Sequence, residues 1–105
     1  MNRTVVVFIT TPNVRVSRRI ARTLVKERLA ACVNIVGNVT SIYRWNGKVE
    51  QALEHLLLAK TTAARFLALK RRVKSLHPSA VPEIVSIPIQ SGSSAYLSWV
   101  VSSVS

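Results

Sequence analysis

Acidic side chains are what this chain has least of. Its 105 residues contain no aspartate and only four glutamates, Glu27, Glu50, Glu54 and Glu83. Against them stand 15 lysines and arginines, for a formal net charge of +11. The shortage leaves few i,i+4 ion pairs available on helix faces, so stability must come from apolar packing, much of it between copies of the chain. It also removes paired carboxylates as general acid and base, and neither a histidine–nucleophile spacing nor a glycine-rich phosphate loop stands in their place. An enzyme is therefore not expected. Cysteine is nearly absent too. The one thiol, Cys32, excludes an internal disulfide framework and favours a reducing compartment. Long hydrophobic runs are missing: Thr4 to Thr10 is too short for a signal-peptide core with its cleavage site, and nothing approaches the roughly 20 residues of a spanning helix. The expectation is a cytoplasmic protein with no membrane partner.

What is present is a foldable core. Hydrophobic residues make up 49% of the chain, enough to order one domain over residues 1–105. TVVVFIT, Thr4 to Thr10, is β-branched and continuous, which predicts a buried central strand ended by Pro12 and Asn13. From Val14 to Ala31, Val16, Ile20, Leu24, Val25 and Leu29 recur at helical spacing. Arg15, Arg18, Arg19, Arg22 and Lys26 fill the opposite face, an amphipathic helix with a basic exterior. Cys32 to Arg44 alternates as a strand, with Val33, Ile35, Val39 and Tyr43 of one parity and a bulge or bend at Gly37-Asn38. Asn46-Gly47 predicts a type I′ hairpin turn, because both of its central residues need positive φ. The return strand runs from Lys48 to about Thr62. Ala63 to Leu76 predicts a second amphipathic helix, Ile84 to Ile89 an edge or bulged strand carrying Pro88, and Ala95 to Val104 a short last helix.

The order β-α-β-β-α-β is the ferredoxin-like split arrangement of the α+β class, an antiparallel sheet with both main helices on one face, here with a long central hairpin and a C-terminal helix. Hairpin strands of about 13 residues would span roughly 43 Å, and a domain this size is only about 33 Å across. The tip must then overhang, exposing Ile42, Tyr43, Trp45, Val49 and Leu53, and a neighbouring copy is the economical cover. The alternative is a chain that breaks at Gly37 and folds back on its own sheet.

Several strings carry a resemblance: RLAACVNI (Arg28 to Ile35), TSIYRWNGKVE (Thr40 to Glu50), EHLLLAKTT (Glu54 to Thr62), LHPSAVPEI (Leu76 to Ile84) and AYLSWV (Ala95 to Val100). In order and spacing they resemble the divalent-cation tolerance family, CutA. The resemblance implies a ferredoxin-like protomer in a tight homotrimer shaped like the PII signalling proteins, with the hairpin in the trimer contacts. It implies a response to metal ions, copper above all, and no established enzymatic activity. In copper-binding members the ligands correspond to Ile9, Leu76 and His77, so only His77 retains a ligating side chain. An aromatic usual in the family is replaced by Ser79.

The candidate metal ligands are thus His77, Cys32 and Glu83, with copper or another divalent cation as the ion and no cofactor required. Against that, His77 stands before Pro78 and Val81 before Pro82, so LHPSAVPEI also reads as a stiff helix-to-strand connector in which a lone histidine is structural. Cys32 suits a soft metal as thiolate, or a small buried hydrophobe. His55, beside three leucines, reads as a partly buried strand residue. A second candidate site is a cleft between protomers formed by Tyr43, Trp45, Glu54 and Lys60, suited to a small anionic ligand as in PII-like trimers; alternatively Lys60 and a glutamate simply pair at an interface. The basic charge points to an anionic partner or to mere non-specific adhesion. Specific RNA binding of the RRM kind is not expected, since the central strands lack the stacking aromatics.

Overall fold

The computed structural model describes residues 3–105. The first strand, β1 (Thr4–Thr11), alternates buried and half-buried side chains, and its odd-numbered members Val7 and Ile9 are fully buried. Asn13 then caps the first helix, α1 (Val14–Lys26): its backbone is extended and its side-chain oxygen accepts the Val16 N–H at 2.9 Å. Ser17, buried one turn in, is hydrogen bonded to the Thr11 hydroxyl, which ties the helix to the strand end it follows.

The helix stops at Lys26, five residues short of the Ala31 that apolar spacing predicts. The cause is a left-handed residue. Arg28 takes φ of 59°, and the Leu29 N–H reaches back to the Leu24 carbonyl at 2.8 Å while that of Arg28 reaches Val25 at 3.1 Å. This is a Schellman cap, closed by Leu29 packing with Leu24 in the core. Leu29 continues the hydrophobic periodicity without continuing the helix.

Strand β2 (Cys32–Trp45) and strand β3 (Lys48–Thr62) form the hairpin, joined by Asn46 and Gly47 at φ of 50° and 76°, as the type I′ turn requires. A 3-10 turn at Ala63–Arg65 leads into α2 (Phe66–Leu76); β4 (Ile84–Pro88) and α3 (Ser94–Ser103) complete the chain. The sheet is antiparallel in the order β2-β3-β1-β4. Pro88 therefore lies on an edge strand, where its missing N–H costs least. Helices α1 and α2 cover the face that presents Val5, Val7, Ile9, Leu57 and Ala59, closed by Ile20, Leu24, Leu69 and Val73. A smaller cluster of Ala31, Val100 and Val104 seats α3, and the Arg65 Nε–H donates to the Val104 carbonyl at 2.7 Å.

The strands are of unequal length, and this shapes the molecule. β1 pairs with β3 only from Thr4↔Thr62 to Thr11↔His55, while β3 continues to Lys48. Beyond that point seven pairs, Val39↔Glu54 to Trp45↔Lys48, form a two-stranded ribbon with no third strand beside it. The chain does not fold back at Gly37. Its long axis is 44 Å against 25 and 22 Å across. At the root of the ribbon Gly37 and Asn38 together oppose His55, a bulge with Asn38 at φ of 59°. Because two residues stand against one, the side chains of β2 change sides there. Val33 and Ile35 share the helix-covered face with Ala59 and Leu57, but Val39 and Tyr43, of the same numerical parity, pair with Glu54 and Glu50 on the other.

Two substitutions test these local causes by urea unfolding at one fixed protein concentration. Asn13→Ala should cost about 1 kcal/mol through the lost cap. Arg28→Gly, relieving the left-handed residue, should add up to about 1 kcal/mol after the extra entropy of glycine is counted.

Candidate functional site

The end of β1, the ribbon and the connector from α2 to β4 enclose a cleft of about 680 Å³. Thr10 forms one part of its lining, Ser41 to Tyr43, Trp45 and Glu54 come from the ribbon, and His77 with Ser79 to Glu83 from the connector. The walls have local causes. The bulge turns Tyr43 and Trp45 to the side of Glu54, and the connector leaves α2 extended at His77, before Pro78, then bends through residues 78–81.

His77 is the pin of the connector. It ends α2 with extended backbone, its own N–H donating to the Val73 carbonyl at 2.9 Å. The ring reaches across 67 positions of sequence to lie 2.7 Å from the Thr10 carbonyl through Nε2, while Nδ1 accepts the Ser79 N–H at 3.1 Å. A carbonyl only accepts, so Nε2 carries the proton and both ring nitrogens are engaged. Neither ring nitrogen is free for a metal while these bonds hold.

The structure brings together five of the seven residues singled out from sequence. His77, Glu83, Tyr43, Trp45 and Glu54 all line this cleft, within one chain and not only between chains. Cys32 and Lys60 lie elsewhere. They are register partners, level with Val6 on β1 and four residues from Thr10, about 13 Å along the strand. Lys60 donates to the side-chain oxygen of Asn34 and bridges to no glutamate; the ion pair among the described residues is Arg72 with Glu27 at 3.0 Å. Cys32 is half-buried beside Tyr96, whose hydroxyl is pushed above its ordinary pKa by burial first and by the neighbouring thiol second. His55 is half-buried across from the bulge, and its Nδ1 is buried without a hydrogen-bond partner.

Charge within the cleft runs against the rest of the molecule. Half of the chain's four glutamates line it and none of its 15 lysines and arginines does. Two carboxylates and two aromatic faces favour a positively charged visitor. The metal ligands expected from sequence do not converge within one chain: His77 is hydrogen bonded to Thr10 and Ser79, Cys32 is remote, and among the described residues no three His, Cys, Asp or Glu side chains gather. Sequence reading missed Thr10 and Ser79 as partners of His77. No local signal could have found Thr10, because the contact depends on which strand end the second helix returns to.

Fold and cleft together define a class: a ferredoxin-like α+β protein whose central hairpin outgrows its sheet and roofs a pocket at the strand ends. Comparison narrows the class. The family model described as CutA1 divalent ion tolerance protein matches residues 5–103. The divalent-cation tolerance protein CutA of Thermus thermophilus is 60% identical over 94 residues, covering 90% of this chain and 91% of that one. The solved structure of a divalent cation tolerance protein (Cut A1) from the same organism superposes with a TM-score of 0.96 at 55% identity, over 97% of this chain and 99% of that one. A periplasmic divalent cation tolerance protein CutA from Archaeoglobus fulgidus superposes at 0.94 with 35% identity, over 97% and 99%. The chain belongs to the CutA1 divalent ion tolerance family.

If His77 is a structural pin, His77→Ala should lower stability by about 1–3 kcal/mol, since the Thr10 carbonyl and the Ser79 N–H both lose a partner. Adding a chelator to the unmutated protein should leave its unfolding midpoint unchanged.

Proposed function

We propose that this chain works as a non-catalytic homotrimer in the cytoplasm that takes part in tolerance of divalent cations. The carrying observation is apolar surface that nothing in one chain covers. Behind the helix-covered face, the sheet turns Val6, Phe8, Leu56 and Leu58, all half-buried, and Val85 and Ile87, 53% and 51% exposed, to its second side. The ribbon adds Ile42, Val49 and Leu53 at 68%, 69% and 64%. Surface of this kind is rare on a monomer and supports closure against sister copies. Three copies close a ring in which each sheet turns its second face inward and each ribbon crosses to a neighbour. No helix among the described residues is long and apolar enough to cross a membrane.

In this reading copper or another divalent cation is an exchangeable visitor to Glu54 and Glu83, held weakly, and no cofactor is required. A second reading has its own support. A cleft of about 680 Å³ is of the size that small organic ligands occupy, so the trimer can act as a PII-like receptor for a small ligand without metal.

Sedimentation equilibrium at micromolar concentration should give three times the 11.6 kDa chain mass, and Ile42→Glu with Leu53→Glu should shift it toward one. A single folded chain in the unmutated protein would defeat the assembly. Calorimetry with Cu(II) and Zn(II) should find weak binding, tighter for Cu(II), that Glu54→Gln and Glu83→Gln weaken further. Submicromolar binding abolished by His77→Ala would instead restore the histidine as ligand.

A further inference from the structure

The four glutamates and fifteen cations are not mixed over the surface. Ten of the fifteen lysines and arginines lie on the two helices that cover the sheet or on the cap of the first. Along α1 stand Arg15, Arg18, Arg19, Arg22 and Lys26, followed by Arg28 at its cap, all exposed. Along α2 stand Lys70, Arg71, Arg72 and Lys74. Neither helix contains an acidic residue, and Glu27, the one carboxylate beside them, is held bidentate by Arg72 through Nε at 3.0 Å and Nη2 at 3.1 Å. The other three glutamates are on the hairpin and the connector.

The α1 cations form a line. Steps of three and four residues put positions 15, 18, 19, 22 and 26 within about 100° of helix circumference, directly opposite buried Ser17, Ile20, Ala21 and Leu24. From Arg15 to Lys26 the line is about 16 Å long. β1 ends where α1 begins and β3 ends where α2 begins, so the helices run in opposite directions side by side, and Arg72 with Glu27 bridges them. The result is a basic ridge whose own carboxylate is already neutralised.

We propose that this helical layer binds the phosphate backbone of double-stranded nucleic acid without reading its sequence. Seven of the ten cations are arginines, whose planar fork matches phosphate oxygens in a bidentate way. A line of charge complements a polymer of evenly spaced phosphates. The layer lacks what base readout needs: its one aromatic, Phe66, is packed against the core and covered by the Lys70 ammonium at 5.8 Å from the ring centre. An anionic lipid surface fits less well, because interfacial helices insert their apolar face, and that of α1 is sealed against the sheet. The ridge is on the opposite side of the sheet from Val6, Phe8, Val85 and Ile87, the part of the trimer-closing surface that the sheet itself supplies, and none of its cations lines the cleft.

The test is fluorescence anisotropy with a labelled duplex DNA of mixed sequence and its scrambled counterpart. Both should bind at low salt with equal affinity. Four phosphate contacts would weaken binding about 100-fold between 50 and 200 mM KCl. Arg15→Gln, Arg18→Gln, Arg19→Gln and Arg22→Gln combined should lower affinity at least about tenfold and flatten the salt slope. Arg44→Gln with Lys48→Gln, on the hairpin, should leave both unchanged. Should the fourfold variant fail to fold by circular dichroism, Arg71→Gln with Lys74→Gln takes its place, with a smaller loss in the same direction. The proposal is overturned by absence of binding at 50 mM KCl, by equal losses in the hairpin control, or by vesicles of one part phosphatidylserine to two parts phosphatidylcholine binding more tightly than the duplex.

Discussion

The structure turns on a mismatch of strand lengths. β1 offers eight residues to its neighbour β3, and β3 has fifteen. Hydrogen bonding and burial are shared across the sheet only as far as Thr11↔His55. Everything past that pair must satisfy itself as a ribbon, and its side chains have no third strand to shelter them. The cleft exists because the ribbon projects past the end of β1 while the α2–β4 connector passes the same end from the other side. The uncovered apolar surface exists for a related reason: two helices can blanket one face of the sheet, and α3 is too short to blanket the other.

His77 shows how a residue type suggestive of chemistry becomes structural. Between a carbonyl that can only accept and an N–H that can only donate, the ring is locked in one tautomer and one orientation. It fastens the end of α2 to the end of β1 and fixes the wall of the cleft opposite the ribbon. The separation of charge is built on the same frame. The carboxylates gather on the hairpin and connector, and the cations ride on the helices, so one small domain presents a basic outer layer and a cleft free of basic side chains.

Much of the fold could be read from residues because its signals are local. Positive φ at Asn46-Gly47, β-branched TVVVFIT and the cation stripe of α1 each depend on near neighbours, and each appears where expected. The end of α1 could not be read from periodicity, because Leu29 keeps the apolar spacing while the backbone turns left-handed at Arg28, a residue whose type gives no warning. The site was legible in parts. The connector and ribbon residues were found as two separate candidate sites, one for metal and one for a cleft between protomers; that they line a single pocket follows from tertiary geometry alone. Lys60 and Cys32 share strands with pocket residues but stand at the wrong end, which strand assignment without register cannot reveal.

The bulge at Gly37 and Asn38 acts as a half-turn switch built into β2. Upstream of it odd-numbered side chains look toward the helices; downstream they look away. Removing either residue would take the irregularity out of β2, yet the Asn46-Gly47 turn would still hold Tyr43 opposite Glu50 and Trp45 opposite Lys48, so the cleft side would keep its residues. The identity of the pocket wall is thus anchored at the hairpin tip, and the bulge absorbs the odd residue between that register and the one beside β1.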